Sequence, residues 1–326
     1  METVARFGWQ IFSQRSFRQP ILTLAVAAVL IVFGQIIRPG FADYNQLMNI
    51  LRITSFLGII AAGQTLVVLS GGEGIDLSVG SIVTLSAVIT YRLLNGSDAL
   101  VLPVVALALV VGLLVGAING LGIVFLRIPP LVMTLGMTGV IAGAIQVVTG
   151  GMPSGASAPL LQRLVTLAWC FGIPGVAILW VLLGLAMSFL LNRTTYGKEL
   201  YATGANVSVA ALSGVRTGRV RIITYGLSGA LSALGGCVLL GYTGSVFLNL
   251  GEPYTLPSVA AVVVGGTLLS GGSGHYTGTM AGAFLLTVIQ SILITVGLPE
   301  FGRQIIYGLI VLTLLSLYSR NDRLRG

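Results

Sequence analysis

No Asp, Glu, Lys or Arg occurs from residue 99 to 126, from 128 to 162, or from 164 to 192. Each run is longer than the roughly 20 mainly apolar residues that carry a helix across a bilayer. Windows of this kind fall at 20–37, 50–70, 75–94, 99–126, 131–149, 164–191, 220–242, 257–270, 278–296 and 303–319, which gives ten candidate spans. Only 8% of the residues are charged, against about 25% in a soluble domain. The solvent for most of this chain is therefore lipid, where backbone groups must find partners within their own helix. The expected fold class is all-α: a polytopic membrane protein of about ten transmembrane helices, some of them broken, with both termini cytoplasmic. Breaks are expected where 50–70 gives way to 75–94 and near 257–270, because glycine clusters interrupt both places.

The gaps between spans are too short for a second soluble domain, which needs at least about 50 residues, so residues 1–326 read as a single transmembrane domain. Residues 1–19 mix Phe7, Trp9, Ile11, Phe12 and Phe17 with Arg6, Arg15 and Arg18, a pattern that suits a cytoplasmic or interfacial amphipathic segment. The apolar run that follows is read as a retained span. After it, Arg38-Pro39-Gly40-Phe41 offers no small-x-small site of the kind that ends a signal peptide.

Basic residues set the orientation. With the N-terminus inside, Arg6, Arg15, Arg18, Arg127, Arg193, Lys198, Arg216, Arg219, Arg221, Arg320, Arg323 and Arg325 all fall on the cytoplasmic side. Arg38, Arg52, Arg92, Arg163 and Arg303 fall outside. An odd number of spans would place the basic tail outside. The net charge of +8 thus belongs to lipid and to an acidic partner surface rather than to nucleic acid.

Several chemistries are excluded by what the sequence lacks. The one lysine, Lys198, stands in Tyr196-Gly197-Lys198-Glu199 and not in a phosphate-binding loop. Cys170, Cys237 and His275 do not stand at ligand spacing, so no metal site is indicated; the cysteines read as small apolar packing residues and His275 as a turn residue. No catalytic constellation is visible. Trp9, Trp169 and Trp180 read as interfacial or packing aromatics. Ion-driven carriers place ionisable groups at mid-membrane depth, whereas the span interiors here are nearly free of charge. The energy for any pumping is expected to come from a separate polypeptide.

The longest inside loop, 192–221, holds a helix-compatible stretch from Asn206 to Leu212 with small side chains, bracketed by Gly204 and Gly214. A short helix of this kind can dock closely on a partner protein, and Arg216, Arg219 and Arg221 would complement an acidic groove there as well as anchoring the loop inside.

Three stretches resemble the ribose-type ABC sugar importer permeases. One is Gly74-Ile75-Asp76-Leu77-Ser78-Val79-Gly80-Ser81. The next is Tyr196-Gly197, with Leu200 through Asn206 and Ala210 through Val215. The third is Pro130 with Thr134-Leu135-Gly136-Met137, followed by Gly278-Thr279 and Gly282. Glu73 departs from the resemblance, since glycine is commoner there. The resemblance implies a bacterial inner-membrane permease subunit with no cofactor and no catalytic site of its own. Its implied partners are an ABC ATPase subunit that consumes the ATP, a periplasmic substrate-binding protein, and a second permease subunit, identical or paralogous. It also implies coupling to the ATPase through Gly204, Ala205, Asn206, Ala210, Ala211, Leu212, Gly214 and Arg216. The other readings are an ion-gradient-driven secondary carrier and an ABC permease for branched-chain amino acids.

Gln64, Asp76, Ser78 and Thr134 are the candidates for the substrate path. Each has a second reading. Asp76 would cap a helix beginning near Leu77, Ser78 would bond its own preceding turn, and Gln64 and Thr134 would hydrogen-bond between helices. The hexad Leu69-Ser70-Gly71-Gly72-Glu73-Gly74 recurs as Leu269-Ser270-Gly271-Gly272-Ser273-Gly274. The pair reads either as related broken helices around a path or as two similar tight turns.

Overall fold

The computed structural model describes residues 2–169, 172–299, 301–306, 308, 309 and 313, with side chains described from residue 19 onward. The described chain is all-helical. Its helices are α1 (Glu2–Ile37), α2 (Tyr44–Leu69), α3 (Val79–Leu94), α4 (Val101–Phe125), α5 (Pro130–Thr149), α6 (Pro159–Thr166), α7 (Gly175–Arg193), α8 (Thr195–Ala205), α9 (Val207–Leu212), α10 (Thr217–Thr243), α11 (Thr255–Val264) and α12 (Tyr276–Thr295). Seven segments among the described residues are long and apolar enough to cross a membrane, and Val79–Leu94 is a shorter apolar helix. The candidate span 303–319 and Cys170 lie largely or wholly outside the described residues.

Two helices make the centre. The membrane window of α2 is 83% buried, whereas those of α1 and α5 are 17% buried. Helix α10 packs on α4, α2 and α3; α2 also packs on α12, α11 and α7, and α1 lies against α12. Leu, Val and Phe side chains on α1, α4, α5 and α7 point outward, as a lipid-facing surface requires.

Lipid supplies no hydrophobic drive between helices, so close backbone approach has to hold them together. The α4–α10 contact is built this way. Gly112, Gly116 and Gly120 repeat every fourth residue on α4 and lie against Gly229, Tyr225 and Ile222 of α10. A Cβ on Gly116 would sit 2.0 Å from the Tyr225 carbonyl oxygen, and one on Gly229 would sit 2.0 Å from that of Gly112.

The structure corrects three sequence expectations. The stretch 164–191 is not one span but two elements, the short α6 and the membrane-length α7. Pro174 cannot donate a helical hydrogen bond and disfavours helix in the residue before it. The chain reverses instead, with Trp169 N donating to Ile173 O at 3.0 Å and Gly172 at φ +75°. The stretch 257–270 is helical only as far as Val264, because Gly266 takes φ +88° and Thr267 N folds back onto Val262 O at 3.1 Å. Finally, the helix expected near Leu77 begins at Val79. Residues 2–37 run as one continuous helix, with Pro20 inside it.

Gly116→Ala is expected to lower stability by about 1–3 kcal/mol, the usual cost of overpacking a tight contact. A methyl group added at Gly136 of α5 would have nothing within 4 Å, so Gly136→Ala is expected to cause no loss. Thermal unfolding of the two variants in detergent checks the contrast.

Candidate functional site

The segment between α2 and α3 is a helix break buried in the protein. Gly71, Gly72 and Glu73 take φ +71°, +65° and +57° in succession. This left-handed run turns the chain away from α2. The backbone freed by the break then has to be satisfied within the protein; Gln64, Thr134 and Thr138 bond that backbone, and Asn119 and Ser228 bond the side chains of Ser78 and Asp76.

Asp76 is fully buried. Its Oδ1 accepts from Ser78 N at 3.0 Å and Ser78 Oγ at 2.6 Å, and its Oδ2 accepts from Ser228 Oγ of α10 at 2.9 Å. Asn119 Nδ2 of α4 donates to Ser78 Oγ at 2.9 Å. Gln64 of α2 brackets the Asp76 backbone: with its amide oriented as the two neighbouring groups require, the nitrogen donates to the carbonyl at 3.1 Å and the oxygen accepts from the N–H at 3.2 Å. Thr134 Oγ1 of α5 accepts from Leu77 N at 3.1 Å, and Thr138 Oγ1 donates to Leu77 O at 3.3 Å.

Gln64, Asp76, Ser78 and Thr134 are therefore brought together, and each is fully buried. They are one another's partners, or partners of the same short segment. Asp76 acts three residues before the first residue of α3, on Ser78, while the N–H of Leu77 goes to Thr134. The sequence reading misses Asn119, Thr138 and Ser228. Asn119 carries a signal, being the only strongly polar side chain between residues 99 and 126. Ser228 carries none, since it resembles the other hydroxyls of α10.

At one end of the bundle the two glycine hexads meet. Gly72 and Gly272 have matching backbone angles (φ +65° and +68°), as do Gly71 and Gly271 (+71° and +90°). Gly272 N donates to Leu69 O at 3.0 Å. A Cβ on Gly271 would sit 2.3 Å from Gly71 Cα, and one on Gly204 would sit 1.9 Å from Leu69 O and 2.5 Å from Gly272 N. The end of α8 is thus wedged into both turns.

Two tyrosines fix the rest of α8. Tyr201 Oη donates to Gly274 O at 2.8 Å, with its ring 6.3 Å from that of His275. Tyr196 Oη shares a 2.9 Å hydrogen bond with Thr224 Oγ1 of α10. Burial pushes both tyrosine hydroxyls up to about 12, so both remain donors. Burial also lowers the pKa of His275, which keeps the ring neutral beside Tyr201; His275 is half-buried rather than a free surface residue.

Helix α9 projects from this root. Asn206 caps it, its side-chain oxygen accepting from Val209 N at 3.0 Å. Ala210 is the buried contact, while Leu212 is 89% and Val209 58% exposed. Ala205, Ala211, Gly214 and Arg216 are also exposed, and Gly204 is half-buried. Gly214 closes the turn at φ +86°. Elsewhere, Trp180 Nε1 donates to Tyr276 Oη at 3.0 Å inside the bundle, Trp169 is exposed, and buried Cys237 lies 3.4 Å from Thr90 Oγ1. Among the described residues no three His, Cys, Asp or Glu side chains gather as a metal site would need.

A charge-poor bundle with internally satisfied helix breaks, carrying a small exposed helix at one end, has the make-up of a membrane permease subunit. The chain belongs to the branched-chain amino acid transport system/permease component family, whose model matches residues 46–314. It is 37% identical to the autoinducer 2 import system permease protein of Shigella flexneri, over 91% of this chain and 86% of that protein. Against the same-named protein of Yersinia pseudotuberculosis it is 37% identical, over 93% and 85%. Against the ribose import permease protein of Bacillus subtilis it is 36% identical, over 89% of each chain. No solved structure matches it.

Two substitutions test the buried break. Asp76→Asn keeps the acceptor for Ser78 and is expected to cost no more than about 1 kcal/mol. Asp76→Ala strands the Ser78 and Ser228 donors and is expected to cost about 2–3 kcal/mol, seen as a lower unfolding temperature in detergent. Glu73 carries a conformational penalty of about 1–2 kcal/mol at φ +57°, so Glu73→Gly is expected to raise that temperature.

Proposed function

We propose that this chain is the membrane-spanning subunit of an ATP-driven importer for a monosaccharide or related small polar solute, delivered by a periplasmic binding protein. The observation that carries the reading is α9: a small helix with an exposed leucine tip, rooted through α8 in both glycine turns. One of those turns leads straight into the Asp76 break. A partner ATPase that grips α9 would therefore pull on the segment at which α2 and α3 join. The relatives named for import of autoinducer 2 and of ribose support a sugar-like solute. ATP is consumed by the partner, and this chain binds no cofactor.

The clustering of Arg127, Arg193, Lys198, Arg216, Arg219 and Arg221 supports a cytoplasmic position for the α8–α9 end. With Arg6, Arg15, Arg18, Arg320, Arg323 and Arg325 placed on the same side, the reading is of ten spans in the bacterial inner membrane with both termini inside. A second permease subunit, identical or paralogous, would pack on the bare side of the bundle. Helix α5 suits that contact, because Gly136, Gly139 and Gly143 have open space around them. Gln64, Asp76, Ser78 and Thr134 act on this reading as the pins of a moving break beside the path. The family's description names branched-chain amino acids, which makes leucine the competing solute to test.

In cells expressing the permease with its ATPase and binding protein, labelled pentose uptake is expected to require ATP, and leucine is expected not to compete. Leu212→Asp and Ala211→Arg change exposed positions and are expected to cut uptake at least about tenfold, as the loss of an interface anchor does, with the protein still in the membrane. Undiminished uptake by both variants would remove α9 from the coupling role. Gly204 is unsuited to this test, since any side chain there strikes Leu69 and Gly272. The purified chain alone is expected to show no ATP hydrolysis.

A further inference from the structure

A cleft of about 380 Å³ lies between the end of α4, the start of α5 and the first turn of α10. Arg127 and Arg221 line it, with Pro129, Thr217, Gly218 and Gly72. No acidic residue does. The neighbouring cleft under α9 differs, because Glu199 stands there with Arg216 and Arg219 and offsets their charge.

Neither arginine of the first cleft has an anionic partner among the described residues. Arg221 lies against Gly72, where a Cβ would sit 2.5 Å from its Nη2, and its buried Nε has no hydrogen-bond partner. Arg127 occupies the residue just past α4 at φ +56°, a conformation that residues with side chains avoid and helix ends usually give to glycine. There the chain folds back, with Leu126 N and Ile128 N both donating to Gly122 O at 3.1 and 3.4 Å. Gly218, in the first turn of α10, adds the positive end of that helix without a side chain in the way.

The surroundings decide what kind of anion fits. Phe125 and Leu126, immediately before Arg127, are each 71% exposed, and Leu131 and Val132 just beyond the cleft are exposed too. A cationic cleft therefore opens beside a bare apolar wall at the end of a membrane-spanning helix. A protein's acidic side chain would satisfy the arginines but leave that wall to water. A phospholipid satisfies both.

We propose that this cleft binds the phosphate headgroup of an anionic phospholipid, held by Arg127 and Arg221, with an acyl chain along Phe125, Leu126 and Leu131. Basic pockets between transmembrane helices take such headgroups. The other basic side chains of this end, such as Arg193, Arg216 and Arg219, do not line this cleft and serve as ordinary positive-inside anchors. The assignment is independent of the transported solute and of docking on α9.

Native mass spectrometry of the purified full-length chain, exchanged with equal amounts of phosphatidylglycerol and phosphatidylcholine of the same acyl chains, tests it. At about 1 kcal/mol per basic side chain, the parent is expected to retain phosphatidylglycerol about thirtyfold over phosphatidylcholine. R127Q is expected to keep about a fivefold preference, the R127Q/R221Q pair about none, and R127K/R221K most of the parent's. Arg127 is exposed, so R127Q alone carries the comparison should the double variant not fold. Equal retention of the two lipids by the parent, or an undiminished preference in R127Q, would overturn the proposal. So would full displacement of phosphatidylglycerol by millimolar inorganic phosphate, which would make this a free-phosphate site. Unchanged lipid retention together with loss of ATPase co-purification would assign the pair to a protein contact instead.

Discussion

The structure depends on one constraint: a helix broken inside a membrane protein must have its freed polar groups satisfied by its neighbours. Each unsatisfied group in hydrocarbon costs several kcal/mol. Between α2 and α3 this obligation falls on Gln64, Asn119, Thr134, Thr138 and Ser228, which come from four different helices. Asp76 organises them by accepting from both Ser78 and Ser228. The break is thus the point where α2, α3, α4, α5 and α10 are tied together. A bundle without hydrophobic drive between its helices gains its register from such ties and from glycine contacts such as Gly112–Gly229.

The same constraint shapes how motion could travel. A joint that is satisfied by side chains on several helices resists small displacements, while the glycine junction beside it has almost no side chains to rearrange. Gly71, Gly204, Gly271 and Gly272 contact one another backbone to backbone. A shift of α8 therefore reaches both turns without being absorbed in rotamer changes. Tyr201 and Tyr196 add the fixed lateral ties, one to the second turn and one to α10. Because burial keeps both hydroxyls protonated well above neutral pH, these ties do not vary across the physiological range.

The class of the protein is legible in the sequence, because charge-free runs admit only one solvent. Asn206 through Leu212 also announces itself: Asn206 is a good N-cap and Gly214 a good stop, and α9 spans Val207–Leu212 as a result. Four things are not legible. Hydropathy cannot distinguish a continuous span from two elements joined by a reversal, so Gly172 and Pro174 do not interrupt the apolar window 164–191. It cannot show that a glycine turn closes an apolar stretch early, so the window 257–270 overshoots the helix. Nor can it show which polar residues meet across helices. Gln64, Asp76, Ser78 and Thr134 stand out one at a time for their polarity. That they form one cluster with Asn119 and Ser228 follows only from packing. The two hexads are visible as a repeat, but their contact, turn against turn, comes from the arrangement of α2, α11 and α12.

Burial bears on how the polar cluster takes part in transport. Its members are shut off from solvent in this conformation and, apart from Asn119 Oδ1, which has no partner, are bonded to one another or to the break, so a solute gains most hydrogen bonds here only by displacing bonds already made. Exchanging one buried hydrogen bond for another brings little net energy, which argues against a high-affinity solute site here and suits a permease that receives its cargo from a separate binding protein. The value of the cluster lies in specifying one arrangement of the break. If the break moves, all of its ties must be remade together, and buried networks of this kind favour discrete states over gradual bending. A permease that must not leak between strokes benefits from having two such states and little in between.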